Sequence, residues 1–149
     1  MSELGEKLYD LTLKFTDVSH FGTPLEDILS GTAAPPPQGA RVDVAFAGTA
    51  VGDRVSGEVT GVDYINVRAD GRFELNIFGK LTTPDGVRVA FEAAGVATPQ
   101  PDSPVAILRE HVKLTTGFAD YAWMNALECW GIGTVDPTTG TVQVSVYGA

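Results

Sequence analysis

The stretch ADGRFELNIFGKLTTPDG, residues 69–86, places one alternating strand between two tight turns. Polar and apolar side chains alternate from Phe73 to Leu81, which is typical of a strand with one buried face. The turns at 69–71 and 83–86 carry Asp-Gly, a pair that readily adopts the positive φ of tight hairpins. This stretch therefore predicts three consecutive antiparallel strands that are joined by short connections.

Similar turn signals occur along the rest of the chain, at Gly52-Asp53 and at residues 136–140. The short apolar runs between them predict strands at 8–15, 41–51, 54–60, 62–68, 72–82, 86–95, 105–116, 122–134 and 141–148. Prolines mark loops at 35–37 and 99–104, and residues 23–29 are typical of one short helical turn. We predict an all-β fold, a small closed antiparallel β-barrel of 8–9 strands that forms one domain over residues 1–149.

Composition and charge exclude several classes of function. The formal net charge is −9, and the ten Lys and Arg residues are scattered, which disfavours nucleic acid and anionic membranes as partners. Cys129 is the single cysteine and there are two histidines, so we expect no disulfide and no metal site. No Gly-rich nucleotide motif is present, and we expect no cofactor. The first residues lack a signal-peptide pattern, so we expect a cytoplasmic protein.

Several segments occur in an order that resembles a known family. They are the strand pair at 47–59, the segment at 62–71, the turn at 83–86, and Thr116-Gly117 followed by the residues 121–125. This order resembles the DUF3237 (UPF0311) family from about Lys7 to the C-terminus. The resemblance implies a calycin-like barrel, similar in architecture to allene oxide cyclase and the lipocalins, and it implies no established activity.

The chain also departs from the family pattern. It has Asn76 where the family usually has Asp, and its segments 92–95 and 110–114 differ from the family's versions. These differences predict a more apolar cavity than the family's. Because the family residue is polar, the resemblance favours an internal position for Asn76, whereas Glu74 on the same face reads more simply as solvated.

Candidate site residues come from two places. Asp63 is either a turn residue that bonds its own backbone or a carboxylate inside the barrel with a raised pKa, able to act as an acid or base. The second place is the predicted strand 122–134 with the residue before it. There Tyr121, Trp123 and Asn125 suit either an ordinary core or a ligand cavity, and Glu128 is either exposed or a reserve acid.

These patterns leave three functions open. The first is a cofactor-independent isomerase, cyclase, lyase or epoxide-opening enzyme for a small apolar metabolite, with Asp63 and Glu128 as catalytic residues. The substrate would be held by Tyr64, Asn76, Tyr121, Trp123 and Asn125. The second is a non-catalytic carrier or sensor of a hydrophobic ligand. The third is a structural module with a filled barrel, which a cavity below about 300 Å³ would favour. We expect a homo-oligomer, with a dimer favoured.

Overall fold

The computed structural model describes residues 4–149 and shows a closed barrel of eight antiparallel strands in sequence order. The strands are β1 (Glu6–His20), β2 (Ala40–Val51), β3 (Gly57–Val67), β4 (Phe73–Thr82), β5 (Arg88–Thr98), β6 (Ala106–Thr115), β7 (Cys129–Asp136) and β8 (Thr141–Gly148). Each strand pairs with its neighbours in the chain, and β8 closes the barrel by pairing with β1. The predicted fold class is therefore confirmed.

The turns form where the sequence predicts them. Gly71, Gly86 and Gly140 have φ values of 91°, 83° and 67°, which an L-residue with a side chain rarely adopts. The two predicted strands 54–60 and 62–68 are instead one strand, β3. Gly61 stays in the ladder opposite Gly79, and the ring of Phe46 occupies the space that a Gly61 side chain would need.

Two helical segments lie at opposite ends of the barrel. The helix α1 (Leu25–Leu29) belongs to the β1–β2 connection, and we call its side of the barrel the α1 end. A 3₁₀ helix (Ala119–Ala126) lies in the β6–β7 connection and inserts the fully buried Met124 at the other end. Within residues 4–149, no helix combines the length and apolar character needed to cross a membrane.

The prediction of a strand over 122–134 was wrong for its first half. Residues 119–126 form the 3₁₀ helix, and β7 begins only at Cys129. The side chain of Asn125 explains the difference: its Oδ1 accepts from Thr116 N at 2.8 Å, and its Nδ2 donates to Thr116 O at 2.8 Å. This pair of bonds folds the chain back on itself, a local arrangement that competes with a strand.

The core occupies the barrel interior because alternate residues of every strand point inward. On β6, for example, Ala106, Leu108, Val112 and Leu114 are buried, whereas the residues between them are mostly exposed. The same alternation on β4 buries Phe73, Leu75 and Ile77. Such an interior contains both the packed core and any cavity that the packing leaves open.

Candidate functional site

A cavity occupies the half of the barrel that lies nearer the α1 end. On β3 its lining begins at Asp63 and runs to Ile65, and on β6 it runs from Ala106 to Glu110. Leu25 and Leu29 of α1 line it as well, so the helix covers this end of the cavity. Asp63 and Glu110 are therefore the lining residues of their strands that lie farthest from α1.

The floor of the cavity is formed by two aromatic rings. The centroids of Phe46 and Phe91 are 6.4 Å apart, with their planes tilted by 37°. Gly79 makes room for this packing, because a Cβ there would lie only 2.4 Å from Phe91 Cζ. Beyond the floor, the other half of the barrel is filled by buried side chains such as Val59, Leu114 and Met124. The cavity is thus closed at the end where the carboxyls lie.

The volume of the cavity is small. About 80 Å³ is open to the centres of water-sized molecules. By this measure one water needs roughly 10–15 Å³, so the space holds several waters or one small ligand. It is below the roughly 300 Å³ of a pocket for drug-sized ligands. In this respect the structure favours the filled barrel among the three alternatives.

Asp63 points into the cavity from the middle of β3. Its Oδ1 accepts a hydrogen bond of 3.0 Å from the main-chain N–H of Asn76 on β4. Burial raises the pKa of Asp63 to about 7, and the Asn76 N–H acts in the opposite direction because it stabilises the charged form. Asp63 is consequently not a turn residue but a carboxyl whose proton can be gained or lost near neutral pH.

The side chain of Asn76 provides a hydrogen bond between β3 and β4 where the regular main-chain pairing is interrupted. The register pairs Asp63 with Ile77 and Asn66 with Glu74. Between these pairs, the Asn76 side chain donates from Nδ2 to the carbonyl of Tyr64 at 3.2 Å. The side chain thereby satisfies a carbonyl of the ladder while the main-chain N–H of Asn76 is directed to Asp63.

Glu110 is the second carboxyl of the cavity, and it is not among the site residues predicted from the sequence. It is only 7% exposed. Burial raises its pKa to about 7, and the charge of Asp63 contributes in the same direction. One signal was available: Glu110 lies on the apolar face of β6, in phase with Leu108 and Val112. A charged residue in such a position is seldom buried without a reason.

Glycines on both neighbouring strands surround Glu110. The register places Gly95 of β5 and Gly131 of β7 opposite it. A Cβ on Gly131 would lie 3.2 Å from Glu110 Oε2 and 3.1 Å from Val144 Cγ1. The missing side chain of Gly131 therefore leaves the carboxyl of Glu110 the space that it occupies.

The charges at the cavity are all acidic. Asp63 and Glu110 are the titratable residues of its lining, which contains no Lys, Arg or His among the described residues. Tyr9, buried on β1, has a raised pKa because of burial and of the charges of Cys129 and Glu110. In a low-dielectric interior, two nearby carboxyls with no cation resist simultaneous ionisation. Near neutral pH the pair is therefore suited to hold one proton.

Of the residues named from the sequence, only Asp63 lines the cavity. Tyr64 lies on the outer face of the barrel. The centroid of its ring is 6.2 Å from the centroid of the Phe78 ring and 5.1 Å from Cζ of Arg41. Asn76 reaches Asp63 with its backbone rather than its side chain. The expected side-chain position of Asn76 inside the barrel is thus not found.

The residues of the β6–β7 connection also lie away from the cavity. Tyr121 and Trp123 pack against the core from the 3₁₀ helix, and Arg54 Cζ lies 3.6 Å from the centroid of the Trp123 ring. Asn125 binds the backbone of Thr116. Glu128 is an exposed surface residue, with 78% of its side chain accessible, and its Oε2 lies 2.7 Å from His111 Nε2. The structure does not bring Glu128 together with Asp63.

No set of three His, Cys, Asp or Glu side chains that could hold a metal ion is found within residues 4–149.

Solved structures of similar architecture come from several organisms. A protein of unknown function from Clostridium acetobutylicum ATCC 824 is 21% identical, with a TM-score of 0.76 and 96% of each chain covered. A beta-barrel-like protein from Acinetobacter baumannii AYE is 17% identical, with a TM-score of 0.77 over 96% of this chain and 93% of that one. These likenesses support the fold.

A third similar structure is described as an enzyme from Penicillium herquei. It is 13% identical, with a TM-score of 0.59 over 98% of this chain and 99% of that chain. The search of curated proteins found no match.

The family comparison agrees with the resemblance noted in the sequence. The family model described as "Protein of unknown function (DUF3237)" matches residues 22–149, which include both cavity carboxyls and seven of the eight strands. The chain belongs to the DUF3237 family.

Proposed function

We propose that the protein binds a small, largely apolar molecule in the barrel cavity and transforms it by acid–base chemistry that needs no cofactor. The observation that carries this proposal is the pair of carboxyls, Asp63 and Glu110, at the closed end of an otherwise apolar cavity. Isomerisation, cyclisation, lyase chemistry and epoxide opening all use a proton donor and a proton acceptor at one place.

The two carboxyls have different roles in this proposal. Asp63 accepts the Asn76 N–H, a bond that stabilises its ionised form, so it is the base. Glu110 is more deeply buried and experiences the charge of Asp63, so it keeps the proton and is the acid. Each has a pKa of about 7, which allows both states to be populated at neutral pH. Glu110 thus takes the place of Glu128 as the second acid.

The cost of burying these groups supports a functional rather than a structural role. Two buried carboxyls without a cation destabilise a folded protein, and apolar residues of similar size would fill the same space at lower cost. Titratable groups with strongly shifted pKa values are also typical of active sites. The enzyme from Penicillium herquei is similar in fold, which makes catalysis in such a barrel a reasonable hypothesis.

A filled structural barrel is the second candidate, and the small volume of the cavity favours it. A test is to incubate the protein with a library of small metabolites and to follow both binding and conversion by mass spectrometry. We expect one compound to be converted, and Asp63→Asn and Glu110→Gln each to lower the rate by about 100-fold or more. Glu58→Gln, at an exposed position of β3, is the matched control.

The outcomes separate the alternatives. Conversion that both variants retain in full would contradict the proposed roles of Asp63 and Glu110. A compound that binds and returns unchanged would identify a carrier or sensor. If no compound binds, and if Ala97→Leu fills the cavity without changing the stability of the fold, the structural barrel would be favoured.

A cytoplasmic homodimer stays a prediction from the sequence. Sedimentation equilibrium tests the oligomeric state, and a monomer at micromolar concentration would contradict it.

A further inference from the structure

The cavity imposes one orientation on any ligand with a single polar group. Its polar side chains, Asp63 and Glu110, lie at the closed end beside the Phe46 and Phe91 rings. The remainder of the lining, towards α1, is apolar and includes Leu13, Phe15, Leu29, Leu108 and Val142. A polar group placed at the α1 side would lose its hydrogen bonds to water without replacement. The polar group therefore lies at the floor, and the apolar part extends towards α1.

The hydrogen-bonding capacity of the floor restricts what that polar group can be. With one proton on the pair, the floor offers one O–H donor on Glu110 and one carboxylate acceptor on Asp63. The described lining of the cavity contains no Lys, Arg or His, so an anionic group has no cationic side chain to pair with there. The complement is a neutral group that accepts one hydrogen bond and carries a removable proton beside the accepting atom.

We infer that the ligand is a small apolar carbonyl compound that binds with its carbonyl at the floor and carries a hydrogen on the carbon next to the carbonyl. This inference rests on the proposed function and narrows it to one substrate class. A ketone meets the requirements of the floor: its oxygen accepts from Glu110, and its α-carbon lies towards Asp63.

The step that this arrangement performs is enolisation. Asp63 takes the proton from the α-carbon, and the electrons of that C–H bond form a C=C bond. The C=O π electrons move to oxygen, which takes the proton of Glu110, so the products are the enol, a protonated Asp63 and an ionised Glu110. Return of a proton to the same carbon regenerates the ketone, and return to another carbon of a conjugated compound gives an isomer. No oxidant, reductant or further reactant is needed.

Hydrogen–deuterium exchange tests this inference directly. Cyclohexanone and methyl pentyl ketone are incubated with the protein in deuterated buffer near neutral pH, and the loss of α-proton signals is followed by NMR. Binding is followed independently of exchange, by the shifts that each compound causes in the Asp63 and Glu110 carboxyl resonances. Cyclohexanol and methylcyclohexane are probes of the same skeleton without an acidic α-proton.

We expect both ketones to bind and to exchange faster with the protein than in buffer alone. Asp63→Asn and Glu110→Gln should each reduce the protein-dependent exchange by at least about 100-fold. The exposed substitution Glu58→Gln should leave it unchanged.

Three results would overturn the inference. Ketones that bind without exchange would exclude the enolisation and leave small-molecule binding intact. Preferential binding of a primary amine, such as cyclohexylamine, that strengthens as the pH rises would indicate a cation site with both carboxyls ionised. Failure of all probes, including methylcyclohexane, to bind would contradict the proposed function itself.

Discussion

The main-chain N–H of Asn76 donates to Asp63 Oδ1 at 3.0 Å, while the side chain of the same Asn76 binds the Tyr64 carbonyl at 3.2 Å. One residue thus fills a gap in the β3–β4 ladder and stabilises the charge of the cavity carboxyl. The first bond lowers the pKa of Asp63 against the effect of burial.

The first prediction concerns this double role. Asn76→Ala removes the amide from the Tyr64 carbonyl, so the main-chain N–H of residue 76 is expected to return to the ladder and leave Asp63. The pKa of Asp63 should then rise above its value of about 7. Carboxyl-detected NMR titration measures it, with Asn66→Ala, at an exposed position of β3, as the control. An unchanged pKa of Asp63 in Asn76→Ala would disprove the double role.

The second prediction is a loss of stability as the pH rises. Asp63 and Glu110 have pKa values of about 7 in the folded protein, above the roughly 4 of the unfolded chain. Between about pH 4 and 7 the folded protein therefore binds more protons, and its free energy of unfolding falls with rising pH. Asp10 and Asp136 have lowered pKa values, so their contribution to stability rises with pH instead. That rise occurs below about pH 4 and does not overlap with the range from pH 4 to 7.

Urea unfolding at pH 5 and pH 8 measures this dependence. Glu110→Gln should raise the free energy of unfolding at pH 8. The free energies of unfolding at pH 5 and pH 8 should therefore differ less in this variant than in the native protein. Each pH unit between the folded and unfolded pKa of one group is worth about 1.4 kcal/mol. Glu58→Gln should retain the dependence of the native protein. Equal pH dependence in Glu110→Gln and the native protein would show that Glu110 ionises normally.

The third prediction concerns the space beside Glu110. Gly131→Ala would place a Cβ 3.2 Å from Glu110 Oε2 and 3.1 Å from Val144 Cγ1. We expect overpacking to cost about 1–3 kcal/mol of stability and to displace the carboxyl of Glu110. Gly117→Ala is the control, because nothing lies within 4 Å of its added Cβ. Thermal unfolding of both variants measures the effect, and equal melting temperatures would refute it.

The fourth prediction tests the cavity itself. Ala97 is buried and lines the cavity, whereas Ala94 lies on the exposed face of the same strand. Ala97→Leu should fill space beside the apolar half of the cavity and abolish the binding of any small ligand, while Ala94→Leu should retain it. Calorimetric titration with a ligand from the metabolite screen measures both. Undiminished affinity in Ala97→Leu would place the binding site elsewhere.

The fifth prediction concerns Asn125, which clamps the backbone of Thr116 at the end of β6. Asn125→Ala leaves both backbone groups of Thr116 without this partner, and we expect a loss of about 1–3 kcal/mol. Hydrogen exchange of the Thr116 amide should accelerate in this variant. If exchange at Thr116 stays as slow as in the native protein, the two hydrogen bonds between Asn125 and Thr116 do not stabilise the 3₁₀ helix.

The closed barrel was predictable because its turns and alternation are local signals. Asp-Gly turns fix where strands end, and period-two patterns show which faces are buried. Residues 122–126 were mistaken for part of a strand because the aromatic content of this stretch favours strands, whereas the bonds from Asn125 to Thr116 favour a tight turn of helix. Such a side-chain-to-backbone bond has no periodic signature in the sequence.

The site was only half predictable. The sequence offered Asp63 as one of two alternatives, a turn residue or a cavity carboxyl, and could not tell which face of its strand points inward. Glu110 carried a comparable signal on β6, but the segment 110–114 was noted only as a departure from the family pattern. Glu128 alternates with apolar residues too, yet it lies outside the barrel beside His111. Only the closure of the sheet shows that Asp63 and Glu110 line the same cavity.

Site-resolved titration of the Asp63 and Glu110 carboxyl carbons in the native protein is the most direct test of the carboxyl pair. Both resonances should titrate near pH 7, and Asp63→Asn should lower the pKa of Glu110, because one charge is removed. Two independent carboxyls that titrate near pH 4, with no effect of Asp63→Asn on Glu110, would contradict the proposed pair.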